Sequence, residues 1–169
     1  MTSDVSHGEL YRDIIIEHAR APRGLGRLGS PCRHARVHNT LCGDRIDLWL
    51  QLSTDRRISK ICHETEGCAL CIAAASMLCV RVVGARACEI ASMHTKFSAL
   101  VAGESDEHEL GDLRAFAGLA SYSSRRRCAL LPWEALQSAL VADIDDDAHS
   151  HAGVGMVNAA GIVKGNTDH

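Results

Sequence analysis

The 169-residue sequence has few aromatic residues, no excess of positive charge and no long apolar run. Aromatic residues make up 4% of the chain against 46% hydrophobic residues in total, so Ala, Leu, Ile and Val must fill the core. The net charge of −3 argues against general nucleic-acid binding. No apolar stretch approaches the roughly 20 residues of a membrane-spanning helix, and no basic segment followed by an apolar run suggests a targeting signal. We therefore expect a cytoplasmic protein without nucleic-acid or membrane partners.

The length is typical of one domain, since about 100–200 residues form a domain in most proteins. After Ala142 the sequence turns to Asp145-Asp146-Asp147 and then to His, Gly and Asn, which offer little for packing. No internal repeat is visible. The sequence therefore predicts a domain over 1–142 and a flexible polar tail over 143–169.

The spacing of apolar residues predicts a helix, then strands, then more helices. Helical spacing over 10–18 ends before Pro22. Period-two alternation predicts strands over 46–52 and 58–65, with a further strand over about 35–40. Later patterns predict helices over 72–83, 87–93, 96–101, 112–119 (capped by Asp112) and 133–141 (started by Pro132). This order predicts an α+β fold: a small antiparallel sheet with helices packed on one face.

Three cysteines and an aspartate carry the clearest chemical signal: Cys42, Asp44, Cys68 and Cys128. Cys42 and Asp44 flank a glycine, so a tight turn can aim both side chains at one point. Cys68 follows a glycine and opens an Ala-rich helical run, where free backbone N–H groups and the helix dipole favour a thiolate. Three thiolates and a carboxylate can complete a tetrahedral zinc site.

The remaining cysteines have a structural interpretation, because a free cysteine is usually a small buried hydrophobe. Cys71 and Cys79 lie on one stripe of a helix with Ala75, which suits core packing. We interpret Cys62 and Cys88 in the same way. A redox pair of Cys68 and Cys71 is an alternative, although no βαβ context surrounds it. In a reducing compartment, eight cysteines indicate thiols or metal ligands rather than disulfides.

The order of several short motifs resembles the U-type iron–sulfur assembly proteins, the IscU/NifU N-terminal family. The similarity runs from about residue 10 to residue 140 and is carried by these segments: Leu10-Tyr11-Arg12, His18, Pro22-Arg23, Cys42-Gly43-Asp44, Glu66-Gly67-Cys68 and Ala74-Ala75-Ser76-Met77. A Cys-Gly-Asp alone is a weak signal, whereas the ordered set is specific.

Within this family the sequence is most similar to the SufU branch of zinc-dependent sulfurtransferases. Residues 84–111 resemble the extra segment that SufU proteins carry between the central helix and the closing helices. Arg127 precedes the third cysteine, where IscU scaffolds carry a histidine. One departure is Leu41 before the first cysteine, where relatives commonly have Pro or a small residue.

The resemblance implies a sulfur relay. Cys42, Asp44, Cys68 and Cys128 would be zinc ligands, and Cys42 would also accept persulfide sulfur from a pyridoxal-phosphate-dependent, SufS-like cysteine desulfurase. In the family, a desulfurase histidine replaces this cysteine on the metal and frees its thiolate. The sulfur then passes to a downstream sulfur or cluster acceptor. The resemblance also places a basic residue, Arg125, near the metal, where it would offset the formal charge of the ligand set.

Two other functions remain open from the sequence. The same cysteines could build a [2Fe–2S] cluster on a scaffold protein, although Arg127 in place of histidine removes a ligand suited to iron. A structural or regulatory zinc module without transfer chemistry is the third possibility. Asp44 argues against that possibility, because closed structural sites prefer Cys and His ligands. If the protein is an enzyme, we expect sulfurtransferase-like persulfide relay.

Overall fold

A four-stranded antiparallel sheet with helices on one face forms the framework of the protein. The computed structural model describes residues 3–105 and 108–145. The elements run in this order: α1 Ser3–Arg20, β1 Cys32–His38, β2 Arg45–Leu52, β3 Ile58–Glu66, α2 Ala69–Val82, α3 Ala87–Ala102, a 3-10 helix His108–Leu119, α4 Ser123–Val141 and β4 Ile144–Asp145. The strand order is β3-β2-β1-β4. The predicted α+β fold is confirmed.

The core lies between the sheet and helices α2 and α4. Ile46, Leu48 and Leu50 alternate along β2 and are fully buried, which is the period-two pattern of a strand covered on one face. The buried face of α2 includes Ala73 and Ala74, and such small side chains allow close approach between elements. None of the described helices is both long and apolar enough to span a membrane.

The few aromatic residues concentrate where the later helices meet. The Phe97 ring of α3 lies 5.7 Å from the rings of Phe116 and Trp133, which belong to the 3-10 helix and to α4. All three side chains are fully buried. Each buries a large apolar area, so together they hold these helices in one orientation, including the helix that carries Cys128.

The predicted breaks around α3 and α4 are wrong. The segments 87–93 and 96–101 form one helix, α3, because Phe97, Leu100 and Val101 continue the buried face that Ile90 begins. Helix α4 begins at Ser123, and Pro132 lies inside it. Proline removes one helical hydrogen bond, but burial of the surrounding face of α4 outweighs that loss.

Two other segments differ from the prediction. Residues 108–119 form a 3-10 helix with a kink at Gly111, whose φ is 58°, instead of an α-helix capped by Asp112. The Asp112 carboxylate lies 3.4 Å from Nε2 of the buried His18. The predicted tail begins with strand β4, in which Ile144 pairs with Arg33. Residues 146–169 lie outside the described residues.

The cysteines outside the candidate site fall into three environments. Cys71 and Cys79 are buried, as predicted, Cys62 is half-buried, and Cys88 is exposed, so the prediction for Cys88 is wrong. Cys88 lies in the first turn of α3, which faces solvent. Burial raises the pKa of Cys79 to about 12, and burial raises the pKa of Cys71 further. Both side chains are therefore neutral thiols at neutral pH.

The strand register brings the β3–α2 junction against the β1–β2 turn. Arg45 pairs with Glu66, so the next residues outward, Asp44 and Gly67, face each other. A Cβ atom at Gly67 would lie 2.3 Å from Asp44 Oδ1, and the φ of Gly67 is +157°. Only glycine allows this approach without displacing the Asp44 side chain.

We predict that Gly67→Ala destabilises the protein by about 1–3 kcal/mol, because the new methyl group must push the buried Asp44 carboxylate aside. Urea denaturation measures the change. Gly43→Ala is the matched control: Gly43 also has a positive φ, but its Cβ would meet nothing within 4 Å. A loss at Gly67 no larger than that at Gly43 would contradict the steric interpretation.

We also predict that Cys79→Ala and Cys71→Ala each lower the free energy of unfolding by about 1 kcal/mol and leave metal content unchanged. The reason is that both thiols contribute only packing. Thermal denaturation and elemental analysis test this, with the exposed Cys88→Ala as control. Loss of metal from either core variant would show that the ligand set is wrongly assigned.

Candidate metal centre

A tight turn between β1 and β2 presents Cys42 and Asp44. The Asn39 N–H donates to the Asp44 carbonyl oxygen at 2.8 Å, and the Gly43 N–H donates to the Asn39 carbonyl oxygen at 2.8 Å. Asn39 Oδ1 accepts the Leu41 N–H at 3.1 Å. The sequence interpretation missed the buried Asn39, although an Asn that bonds its own backbone two residues on is a recognised turn signal.

Asp44 connects this turn to the start of α2. Its side chain is almost completely buried, with 1% exposure. Oδ1 accepts the backbone N–H of Cys68 at 2.9 Å, and Oδ2 lies 3.6 Å from Cys68 Sγ. The carboxylate therefore holds a backbone donor at the first turn of α2 and one thiol at the same time.

Cys128 reaches the site from α4. Its Sγ lies 3.6 Å from Cys42 Sγ and 3.5 Å from the Ser124 carbonyl oxygen, one turn earlier in the helix. One ligand atom each from Cys42, Asp44 and Cys128 all lie within 4.8 Å of one another. Of the four side chains that the sequence singled out, the structure therefore brings three into one group, and Cys68 lies outside that group with its Sγ beside Asp44 Oδ2.

These separations match the edges of a small coordination tetrahedron. With Zn–S bonds of about 2.3 Å and Zn–O bonds of about 2.1 Å, a tetrahedral site separates two sulfur ligands by about 3.8 Å and a sulfur from an oxygen ligand by about 3.6 Å. The Cys42–Cys128 distance is 3.6 Å, and the Cys68–Asp44 distance is 3.6 Å. The Cys42–Cys128 and Cys68–Asp44 separations therefore fit two edges of a tetrahedral site, and Cys68 must move towards Cys42 and Cys128 to complete it.

Hydrogen bonding and burial have opposite effects on the pKa of Asp44. Burial alone would raise the pKa of Asp44, but hydrogen bonds from Cys128, Cys42 and Cys68 outweigh it and hold that pKa below its usual value. Burial, and then the Asp44 carboxylate, raise the pKa of Cys128. Without a cation the carboxylate is charged and the thiol is protonated, so a bound cation would have to displace the Cys128 proton.

The site is open on one side. Cys42 and Cys68 are exposed, whereas Cys128 is buried. Leu41, the residue that departs from the family pattern, is itself 76% exposed and leaves Cys42 accessible. A reactant approaching from solvent therefore meets the Cys42 thiol.

Three arginines that are close to the ligands in sequence have contacts of their own. The Arg125 guanidinium lies over the Tyr122 ring, 5.3 Å from its centroid. Arg45 forms an ion pair with Glu66 at 2.6 Å. Arg127 lines a cavity of about 80 Å³ with His38 and Asn39.

A larger cavity than the one beside Arg127 lies elsewhere. It is a groove of about 690 Å³ at the opposite end of β2, near Leu52 and Arg86.

Comparison with known proteins places this site in a family. The NifU-like N-terminal domain matches residues 10–129, a range that includes all four site residues. The zinc-dependent sulfurtransferase SufU of Bacillus subtilis is 33% identical over 139 residues, which cover 81% of this chain and 93% of that protein.

Two further relatives agree. The iron–sulfur cluster assembly scaffold protein IscU of Streptococcus pyogenes is 30% identical over 133 residues, covering 78% of this chain and 82% of that protein. The crystal structure of a nitrogen-fixing NifU-like protein (N-terminal) from Brucella abortus has a TM-score of 0.71 and 26% identity, covering 78% of this chain and 92% of that chain. The chain therefore belongs to the NifU-like N-terminal domain family of iron–sulfur cluster assembly proteins.

Proposed function

We propose that this protein is a zinc-dependent sulfur acceptor, which takes persulfide sulfur from a cysteine desulfurase and relays it for iron–sulfur cluster assembly. In this proposal Cys42, Asp44, Cys68 and Cys128 bind zinc, and Cys42 accepts the sulfur. The single observation that supports it most is the convergence of Cys42, Asp44 and Cys128 within 4.8 Å, with one thiol of that group, Cys42, open to solvent.

Each residue has a defined task in this proposal. Bound Zn²⁺ would keep its cysteine ligands deprotonated at neutral pH. Asp44 is held by the Cys68 N–H, and carboxylate is a more exchangeable ligand than thiolate. Cys128 is buried and stays in place. Cys42 lies on a turn between strands, so its thiolate can leave the group while the other three side chains remain.

The transfer step balances as thiol–disulfide-type exchange. The Cys42 thiolate attacks the terminal sulfur of the donor persulfide, and a new S–S bond forms on Cys42. The S–S bond of the donor breaks, and its cysteine leaves as a thiolate. No external oxidant or reductant is required, because one sulfur atom moves from one thiolate to another.

Arg125 has a supporting task in this proposal. Three thiolates and a carboxylate on a divalent cation carry a formal charge of about −2. Arg125 lies three residues before Cys128 in α4, nearly one helical turn away, and this spacing supports the proposal. We propose that it stabilises the anionic ligand set and the incoming persulfide.

A [2Fe–2S] scaffold is the second candidate, and the 30% identity to an IscU scaffold protein favours it. Two features argue for the relay. Three of the four ligand atoms lie within 4.8 Å of one another, close enough to share one ion, whereas the ligands of a two-iron cluster are divided between two separated ions. Arg127 also stands where a histidine ligand would be expected, and a guanidinium cannot ligate iron as a neutral donor.

We predict that protein purified without added metal holds about one zinc per chain and has no visible absorption. Because the ligands come from three distant segments, exhaustive chelation should lower the thermal midpoint by more than about 5 °C. Elemental analysis and calorimetry measure the two quantities. A brown, iron-bearing protein would favour the scaffold, and an unmoved midpoint after chelation would contradict an assembled site.

We predict that Cys42→Ala abolishes sulfur acceptance but keeps weakened zinc binding, because three ligands remain and water can fill the fourth position. Asp44→Ala should change zinc affinity and the transfer rate while the acceptor persists. The assay is desulfurase turnover with this protein added, followed by mass spectrometry for a gain of about one sulfur atom per chain.

Cys88→Ala is the matched control for this assay, since Cys88 is also exposed but lies outside the site. It should accept sulfur as the parent protein does. If Cys42→Ala stimulates the desulfurase and carries persulfide as well as the parent, another cysteine is the acceptor. Cys128 would then be the next candidate, and the central step of the relay would be wrong.

A further inference from the structure

A second site is suggested by the groove at the end of the sheet remote from the cysteines. Its volume is about 690 Å³, which lies within the range of about 300–1,000 Å³ typical of small-molecule sites. Three elements form its walls: the β2–β3 turn, the start of α3 and the end of α4. The candidate metal centre uses the opposite ends of β2 and β3, so the groove is independent of it.

The wall formed by the β2–β3 turn is braced against the start of α3. The Arg57 guanidinium donates to the Gly84 carbonyl oxygen at 2.7 Å and pairs with Asp55 at 3.0 Å. The Ile58 N–H donates to the Ala85 carbonyl oxygen at 3.0 Å. These bonds hold the turn and the helix at a constant separation, so the groove exists before any ligand arrives.

The lining combines positive charge with apolar surface. Arg33, Arg56 and Arg86 line the groove, and the only carboxylate among the lining residues, Asp55, is already paired with Arg57. Arg33 donates to the Leu140 carbonyl oxygen at 3.1 Å. Neither Arg56 nor Arg86 forms an ion pair with any carboxylate in the described ranges. The apolar surface comes from Leu52, Ala87, Leu140 and Val141.

Arg56 occupies a backbone conformation that favours glycine. Its φ is 62°, and it is the only residue other than glycine with positive φ in the described part of the chain. An L-residue in this region costs about 1 kcal/mol relative to glycine. The Arg56 side chain in turn places a guanidinium at the groove. Replacing Arg56 with glycine would therefore relieve the backbone strain and remove the charge, and these two effects can be measured separately, as stability and as ligand affinity.

We propose that this groove binds a small organic phosphate, with the phosphate between Arg56 and Arg86 and the organic part against Leu52 and Val141. Guanidinium groups match phosphate oxygens in a bidentate geometry. The apolar side chains give the organic part a surface to cover, as Val141 is 83% exposed. This ligand class is separate from the sulfur relay and does not depend on it.

The test uses phenyl phosphate, which joins an anionic head to an apolar ring, with inorganic phosphate and phenol as its two separate parts. Titration calorimetry measures affinity, and NMR shifts of the Ala87 and Cys88 amides report the location. We expect phenyl phosphate to bind at least about tenfold more tightly than inorganic phosphate and phenol to bind more weakly still. Arg86→Gln should weaken binding about tenfold, by loss of a charge-assisted hydrogen bond.

Arg56→Gly distinguishes a ligand contact from a structural role. It should raise the melting temperature of the free protein, because the strain at φ 62° is relieved, and still weaken phenyl phosphate binding about tenfold. Arg20→Gln, an exposed arginine at the end of α1, is the matched control and should change neither quantity.

Three results would overturn the proposal. The first is the absence of saturable binding of phenyl phosphate at millimolar concentration. The second is equal affinity for inorganic phosphate and phenyl phosphate, which would show only a non-specific anion site. The third is unchanged affinity in both Arg56→Gly and Arg86→Gln. Zinc content and sulfur acceptance are measured separately, so failure here leaves the proposed relay function unaffected.

Discussion

The buried carboxylate of Asp44 is the constraint on which the candidate metal centre depends. A carboxylate with 1% exposure is costly to remove from water unless donors or a cation compensate it. Here the Cys68 N–H lies 2.9 Å from Oδ1, and three thiols surround the group. Each donor comes from a different part of the chain. The need to satisfy one carboxylate thus joins the β1–β2 turn, the start of α2 and α4.

The same arrangement supports the proposed sulfur transfer over purely structural metal binding. Asp44 and Cys128 are buried, whereas Cys42 lies on an exposed turn. The Asn39 side chain stabilises that turn by accepting the Leu41 N–H. One member of the group can therefore change partner without unfolding its neighbours. Closed structural sites lack such a member, because all of their ligands are equally enclosed and are mostly Cys and His.

The sheet connects two regions of different character. At one end of β2, Asp44 and the cysteines form a small anionic group. At the other end, Arg33, Arg56 and Arg86 line a groove with almost no compensating acid. The overall net charge of −3 hides this separation, since charges on opposite ends of the sheet cancel in the sum. Net charge alone therefore described neither region.

Some features of this protein followed from the sequence alone. Local patterns were sufficient for three of them: the alternation in β2, the helical spacing of α1 and the glycines beside Cys42 and Cys68. Each pattern reflects the preferences of residues that are close together in the chain. The motif order also indicated the family and the four site residues. Local signals misplaced the start of α4, because burial of Trp133 and its neighbours outweighs the hydrogen bond that Pro132 removes.

Only the tertiary structure decided which residues meet. The register that pairs Arg45 with Glu66 sets Asp44 against Gly67. Helix packing brings Cys128 next to Cys42, which lies 86 positions earlier in the chain. The Arg-lined groove arises in the same way, because its lining residues come from segments that are distant in the sequence. Periodicity constrains neighbours along the chain, whereas these contacts depend on how whole elements pack, which no local pattern encodes.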